Sequence, residues 1–209
     1  MKIAWIGAAL LMASGVAEAH EVWVERDGAG PVRIYLGEPA AAMPPGGDPE
    51  FANLKAPRLM SAPKATLVRK AGYIEAAAPA GDVRVSDDDV FAPWGDAGKK
   101  EGIIYYARAG RSEARARLPF EIAPATPNGT RFVVTRDGKP VPNTKVTIVS
   151  PTRVATEAVT DARGGVTPVL GEKGRYLLSA AAKDATAYTL PRGAVTTVHR
   201  VTTTTFVAR

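Results

Sequence analysis

Residues 130–170, TRFVVTRDGKPVPNTKVTIVSPTRVATEAVTDARGGVTPVL, alternate short apolar runs with turn chemistry, and this pattern decides the fold class. Thr130 to Thr135, Lys145 to Ser150, Ala155 to Thr160 and Val166 to Leu170 have strand length and many β-branched side chains. Asp137-Gly138 and Asp161-Ala162-Arg163-Gly164-Gly165 lie between them and tolerate the left-handed backbone that tight turns need. Toward the C-terminus, Gly171-Glu172-Lys173-Gly174 is a further turn, and Arg175 to Ala180 and Val195 to Ala208 are further strands. Short strands at near-regular spacing predict an immunoglobulin-like β-sandwich.

Toward the N-terminus the reading is again β. Glu21-Val22-Trp23-Val24-Glu25 and Val32-Arg33-Ile34-Tyr35-Leu36 alternate across an Asp27-Gly28-Ala29-Gly30 turn and predict a hairpin. Ala65 to Lys70, Tyr73 to Ala77, Val83 to Ser86, Ile103 to Arg108 and Ala114 to Ile122 follow as strands. Gly37 to Pro63 is a Pro- and Gly-rich excursion without periodicity, and loops of that length are usually functional or mobile. A second Pro-rich break, Ala123 to Gly129, divides the chain. The expectation is all-β, with two immunoglobulin-like β-sandwich modules: an N-terminal β domain over 20–123 and a C-terminal β-sandwich over 124–209.

The chain has 209 residues, 45% of them hydrophobic and 23% charged, with a net charge of +6. Absence of cysteine excludes disulfides, thiolate zinc sites, iron–sulfur clusters and cysteine nucleophiles. The positive balance does not mark a nucleic-acid binder, because no basic run exceeds Lys99-Lys100 and no aromatics interleave with a basic stripe. Attraction to anionic lipid or cell-wall polymers is compatible with it.

The first nineteen residues read as a secretory signal. Lys2 supplies the positive start, Ile3 to Val16 an uncharged apolar stretch, and Ala17-Glu18-Ala19 a small-x-small cleavage pattern. The apolar run falls short of the roughly 20 residues that span a bilayer as a helix, and no later segment approaches that length. The expected product is exported, periplasmic or secreted, and cut between Ala19 and His20. His20 then begins the mature chain, and its α-amine and imidazole form a nitrogen chelate. Such donors suit copper, nickel and zinc, and all-nitrogen tetragonal sites favour Cu(II) or Ni(II). A cut after Ala17 places histidine third, which chelates the same ions through amine, backbone amides and imidazole. The plain alternative is that His20 is incidental.

His20-Glu21-Val22-Trp23-Val24-Glu25 directly after the cut resembles the opening of a bacterial periplasmic family once assigned as nickel-uptake transporter subunits. Asp137-Gly138-Lys139-Pro140-Val141, Thr160-Asp161-Ala162-Arg163-Gly164 and Gly174-Arg175-Tyr176-Leu177-Leu178 are similar to its second half. That half is carboxypeptidase-regulatory-like. His199-Arg200-Val201-Thr202-Thr203-Thr204-Thr205-Phe206 resembles its end. The resemblance covers most of the mature chain and implies periplasmic handling of nickel or cobalt, with an inner-membrane metal-uptake transporter as partner. Ser179 to Asp184 departs from relatives that carry histidine there.

His199 is the only other histidine. With the His20 amine and imidazole it would complete a three-nitrogen histidine brace if the fold brought the two together. The alternative is a surface histidine on a half-exposed strand. Asp87-Asp88-Asp89 matches no calcium loop and reads as a solvated turn, and Asp48, Glu50 and Asp82 read as ordinary loop carboxylates. Met43 and Met60 make a poor Cu(I) site. Trp94 and Tyr105-Tyr106 suit a sugar platform or, more commonly, a core. There is no Gly-x-Ser-x-Gly, no His-Glu-x-x-His and no phosphate loop.

The expectation is therefore a metal-binding protein with His20 and His199 as ligands of Cu or Ni, with Co as a third candidate, serving metal uptake or handling. A non-catalytic envelope or carbohydrate-binding module is the rival reading. A copper-dependent oxidative enzyme is the enzymatic alternative.

Overall fold

A computed structural model describes residues 20–209; the expected signal segment, 1–19, lies outside the described residues. The protein is all-β. The first eight strands are β1 (Glu21–Arg26), β2 (Val32–Gly37), β3 (Arg58–Leu59), β4 (Val68–Arg69), β5 (Ile74–Ala76), β6 (Val83–Asp87), β7 (Glu101–Ala109) and β8 (Phe120–Pro124). Then come β9 (Phe132–Arg136), β10 (Lys139–Pro140), β11 (Lys145–Val149), β12 (Ala155–Val159), β13 (Gly165–Val166) and β14 (Gly174–Asp184). β15 (Tyr188–Leu190), β16 (Gly193–Val195) and β17 (Thr197–Ala208) complete the series.

A seven-stranded sheet, ordered β12-β11-β14-β17-β7-β6-β3, forms the middle of the molecule. β17 lies antiparallel to β14 and parallel to β7. Both faces of β7 are covered, so its side chains serve two cores in alternation. Ile104 and Tyr106 join Phe120, Phe132, Leu178 and Phe206 on one side. Tyr105 and Ala107 join Val22, Ile34, Leu36 and Ile74 on the other. This sheet takes strands from both expected units. Segments 20–123 and 124–209 therefore share a layer, because β17 returns from the second segment to lie beside β7 of the first.

The sheet β1-β2-β5-β4 places its edge strand against the middle sheet. In an antiparallel pair, alternate residues turn their peptide groups away from the partner strand, leaving edge carbonyls to be satisfied elsewhere. Thr203 Oγ1 donates to the Val22 carbonyl at 2.8 Å and Thr205 Oγ1 to the Val24 carbonyl at 2.5 Å. On the opposite face Thr204 Oγ1 donates to the Ile122 carbonyl of β8 at 2.6 Å. Thr203, Thr204 and Thr205 thus form an adapter that docks one strand on each side of β17.

A buried ionic network ties β6, β7 and β8 together. Glu121 Oε1 accepts from Arg84 Nε at 2.9 Å and Arg108 Nη1 at 2.7 Å, while its other oxygen accepts the Arg117 and Leu118 amides. Asp82 pairs with Arg108 and accepts the Ser112 and Glu113 amides. Every polar atom of the two carboxylates has a partner, the condition under which buried charge is tolerated. The segment before β8, read from sequence as strand from Ala114, instead wraps these arginines.

Candidate metal centre

His20 stands immediately before β1. Tyr105, opposite Val201 on the neighbouring strand, donates its hydroxyl to the His20 carbonyl at 3.0 Å. The imidazole turns toward the long loop after β2, where Nε2 lies 3.0 Å from Asp48 Oδ1. Asp48 is positioned by local sequence: Asp48-Pro49-Glu50 caps a short 3-10 turn (Pro49–Asn53), and Asp48 Oδ1 accepts the Glu50 amide at 2.7 Å. The loop is anchored by Phe51, Leu54 and Leu59 in the core, so the excursion is ordered rather than structureless.

A carboxylate beside Nε2 favours the neutral tautomer protonated there, with Nδ1 as the ring's acceptor, and carboxylates bonded in this way orient metal-ligating histidines. Nδ1 is also the ring nitrogen that closes a small chelate with the amine of the same residue. His20 and Asp48 line a cavity of about 340 Å3, whose other polar walls are Glu38 and Glu50, with Met43 beside them. Next to His20, burial pushes the Glu21 carboxyl up to about 7, against the opposing effect of its Ser179 hydrogen bond.

His199 lies on β17 with its side chain on the same face as Val201, Thr203 and Thr205. Its Nε2 is 2.5 Å from Glu101 Oε2, and Lys183 reaches the same carboxylate at 3.0 Å. The bonds from His199 and then Lys183 hold the Glu101 carboxyl below its ordinary range. Trp94 exchanges two backbone hydrogen bonds with Glu101 and lays its ring 5.5 Å from the His199 ring. The two predicted ligands thus bond to different carboxylates on different elements. Among the described residues there is no group of three His, Asp or Glu side chains arranged to hold a metal.

The remaining candidates divide cleanly. Asp87 accepts the Asp89 amide, Asp88 pairs with Arg58, and Asp89 pairs with Arg192, so the three carboxylates have separate partners. Tyr105 and Tyr106 are buried and Tyr106 accepts from Arg200, so neither forms an exposed platform. Met60 is exposed and far along the loop from Met43. Asp48 is the residue that sequence reasoning passed over. Its helix-capping pattern, Asp-Pro-Glu, was the available signal that it is held in one place.

No family model, curated protein or solved structure matches this chain. Among the described residues no helix is long and apolar enough to cross a membrane.

Proposed function

We propose that this is an exported protein that binds a divalent transition metal, Cu or Ni with Co as a third candidate, at the start of its mature chain. Cleavage before His20 frees an amine beside an imidazole whose Nδ1 is left available. The observation that carries the reading is the 3.0 Å contact between His20 Nε2 and Asp48 Oδ1, which favours the tautomer a chelate requires. In this reading the metal is cargo, and metal uptake or handling, with an inner-membrane transporter as recipient, is the role. The ligand set centres on His20, and His199 belongs to its own group with Glu101, Lys183 and Trp94.

The test is the intact mass of the exported protein followed by titration with Cu(II) and Ni(II), read by visible absorption and, for copper, electron paramagnetic resonance. A mature chain beginning at His20 is expected. Asp48→Asn should weaken binding by about 10- to 100-fold, the usual consequence of losing an orienting carboxylate. His199→Ala should leave affinity and spectrum unchanged. A chain beginning at a residue other than Glu18 or His20, or unchanged affinity in His20→Ala with the same start, refutes the proposal.

A further inference from the structure

A second cavity, of about 370 Å3, lies where β1 and β2 face β11 and β14. Trp23 and Tyr35 form one wall as a stacked pair, with centroids 5.1 Å apart and planes 12° from parallel. Val149 and Leu177, buried together with Trp23, make an apolar floor. Flat aromatic walls over an apolar floor, with a few placed polar groups, are the usual make-up of a small-molecule site.

The charges around it are unequally matched. Glu25 is engaged by Trp23 Nε1 at 3.2 Å and by Arg175 Nε at 3.4 Å, and Arg175 also reaches Asp27. Arg153 lines the same cavity from an exposed turn, and its guanidinium has no acceptor among the described residues. The turn is tightly specified. Ser150 accepts the Arg153 amide through its carbonyl and the Val154 amide through Oγ, and Arg153 sits at a φ of +64°. A left-handed arginine is disfavoured relative to glycine. The strained position therefore holds an unpaired cation at the edge of a cavity with one aromatic wall.

We infer that the Trp23–Tyr35 cavity binds a small planar organic monoanion of the aryl carboxylate class, its ring against the aromatic wall and apolar floor and its carboxylate on Arg153. A guanidinium offers a carboxylate two parallel N–H donors. One free cation beside an already neutralised Glu25 matches a single negative charge, and the aromatic wall over an apolar floor matches a ring. The site is distinct from the His20 cavity, although Ala41 and Met43 line both.

The experiment uses Trp23 fluorescence. Of the three tryptophans, Trp23 and Trp94 lie outside the expected signal, so Trp94→Phe leaves Trp23 as the reporter in the exported protein. Benzoate is titrated into the chelator-treated protein, with benzyl alcohol as the uncharged control. A saturable change with benzoate is expected, weakened about tenfold or more for benzyl alcohol and in Arg153→Gly, a factor corresponding to one charged contact. Arg153→Gly removes the cation at a backbone position that glycine prefers, so an unchanged melting temperature checks its fold. His20→Ala should leave benzoate binding intact, which separates this outcome from failure of the metal site. No saturable response by about 10 mM, equal binding of benzyl alcohol, or undiminished binding in Arg153→Gly overturns the inference.

Discussion

Tyr105 fixes the carbonyl of His20 through a 3.0 Å hydrogen bond from a strand 85 positions away in sequence. The residue proposed to carry the metal is thereby attached to the middle sheet rather than left as a loose chain start. Burial pushes the Tyr105 hydroxyl pKa well up, so it stays protonated and able to donate at all ordinary pH values. Preorganisation of this kind is what a chelating terminus needs, since each unfrozen torsion would have to be fixed on binding.

Tyr105→Phe should accordingly raise the dissociation constant for Cu(II) several-fold and lower stability by about 1 kcal/mol, the usual net value of one hydrogen bond. Tyr106→Phe is the control, because its hydroxyl accepts from Arg200 and faces the other core. It should leave metal affinity unchanged. Isothermal titration and chemical denaturation of both variants decide the matter.

The threonine run gives a prediction of opposite signs within four residues. Thr203→Val and Thr205→Val each strip a donor from a carbonyl of β1 and should cost about 1–3 kcal/mol, because the carbonyl stays buried and unpaired. Thr202 is fully buried, yet its Oγ1 has no hydrogen-bond partner. Thr202→Val replaces an unsatisfied hydroxyl by a methyl of similar size and should be neutral or stabilising by about 1 kcal/mol. Urea denaturation midpoints at constant slope measure all three.

How much of this was legible in the sequence can be argued from particular residues. The hairpin of β1 and β2 was, because Val32, Ile34 and Leu36 alternate with Arg33 and Tyr35, and a glycine-containing turn separates them from the apolar run Val22-Trp23-Val24. So was the Asp137-Gly138 turn, whose two residues sit at φ of +49° and +75°. β3 and β10 have only two residues each, and a two-residue strand has no period to read. Val166 to Leu170 reads as strand, but only Gly165–Val166 pairs, since Pro168 removes a ladder donor. The contact between His20 and Asp48 joins two loop positions and carries no periodic signal. Nor does the return of β17 beside β7, which depends on tertiary packing alone.

Stability should fall as the solution is brought from pH 4 to pH 6, through Asp87. Burial, partly opposed by the Asp89 amide and Arg58, pushes its carboxyl up to about 6 from 3.8. Tyr105, Asp88 and Asp89 are the other ionisable groups facing it. A carboxyl raised in the folded state binds its proton more tightly there than when unfolded. Its contribution is full below pH 3.8 and is lost as pH rises through about 6. The expected loss is up to about 3 kcal/mol, at roughly 1.4 kcal/mol per unit. Asp87→Asn, which keeps an acceptor for the Asp89 amide, should abolish this part of the pH dependence and be more stable than the parent at pH 7. Melting temperatures across pH 4–7 for both proteins read the difference, and parallel curves would exclude Asp87 as the source.

The position of β17 bears on how the chain reaches its native state. The strand that occupies the centre of the middle sheet, between β14 and β7, is also the last strand in sequence. Every earlier strand of that sheet is made before the keystone that joins its two halves. Pairings across nearly a hundred residues, such as His199 with Ile103, have to wait for it. Long-range parallel pairing is slow to form, because the closure of a long loop must precede the contacts that reward it. The two halves of the middle sheet therefore meet only when the final strand has been laid between β14 and β7.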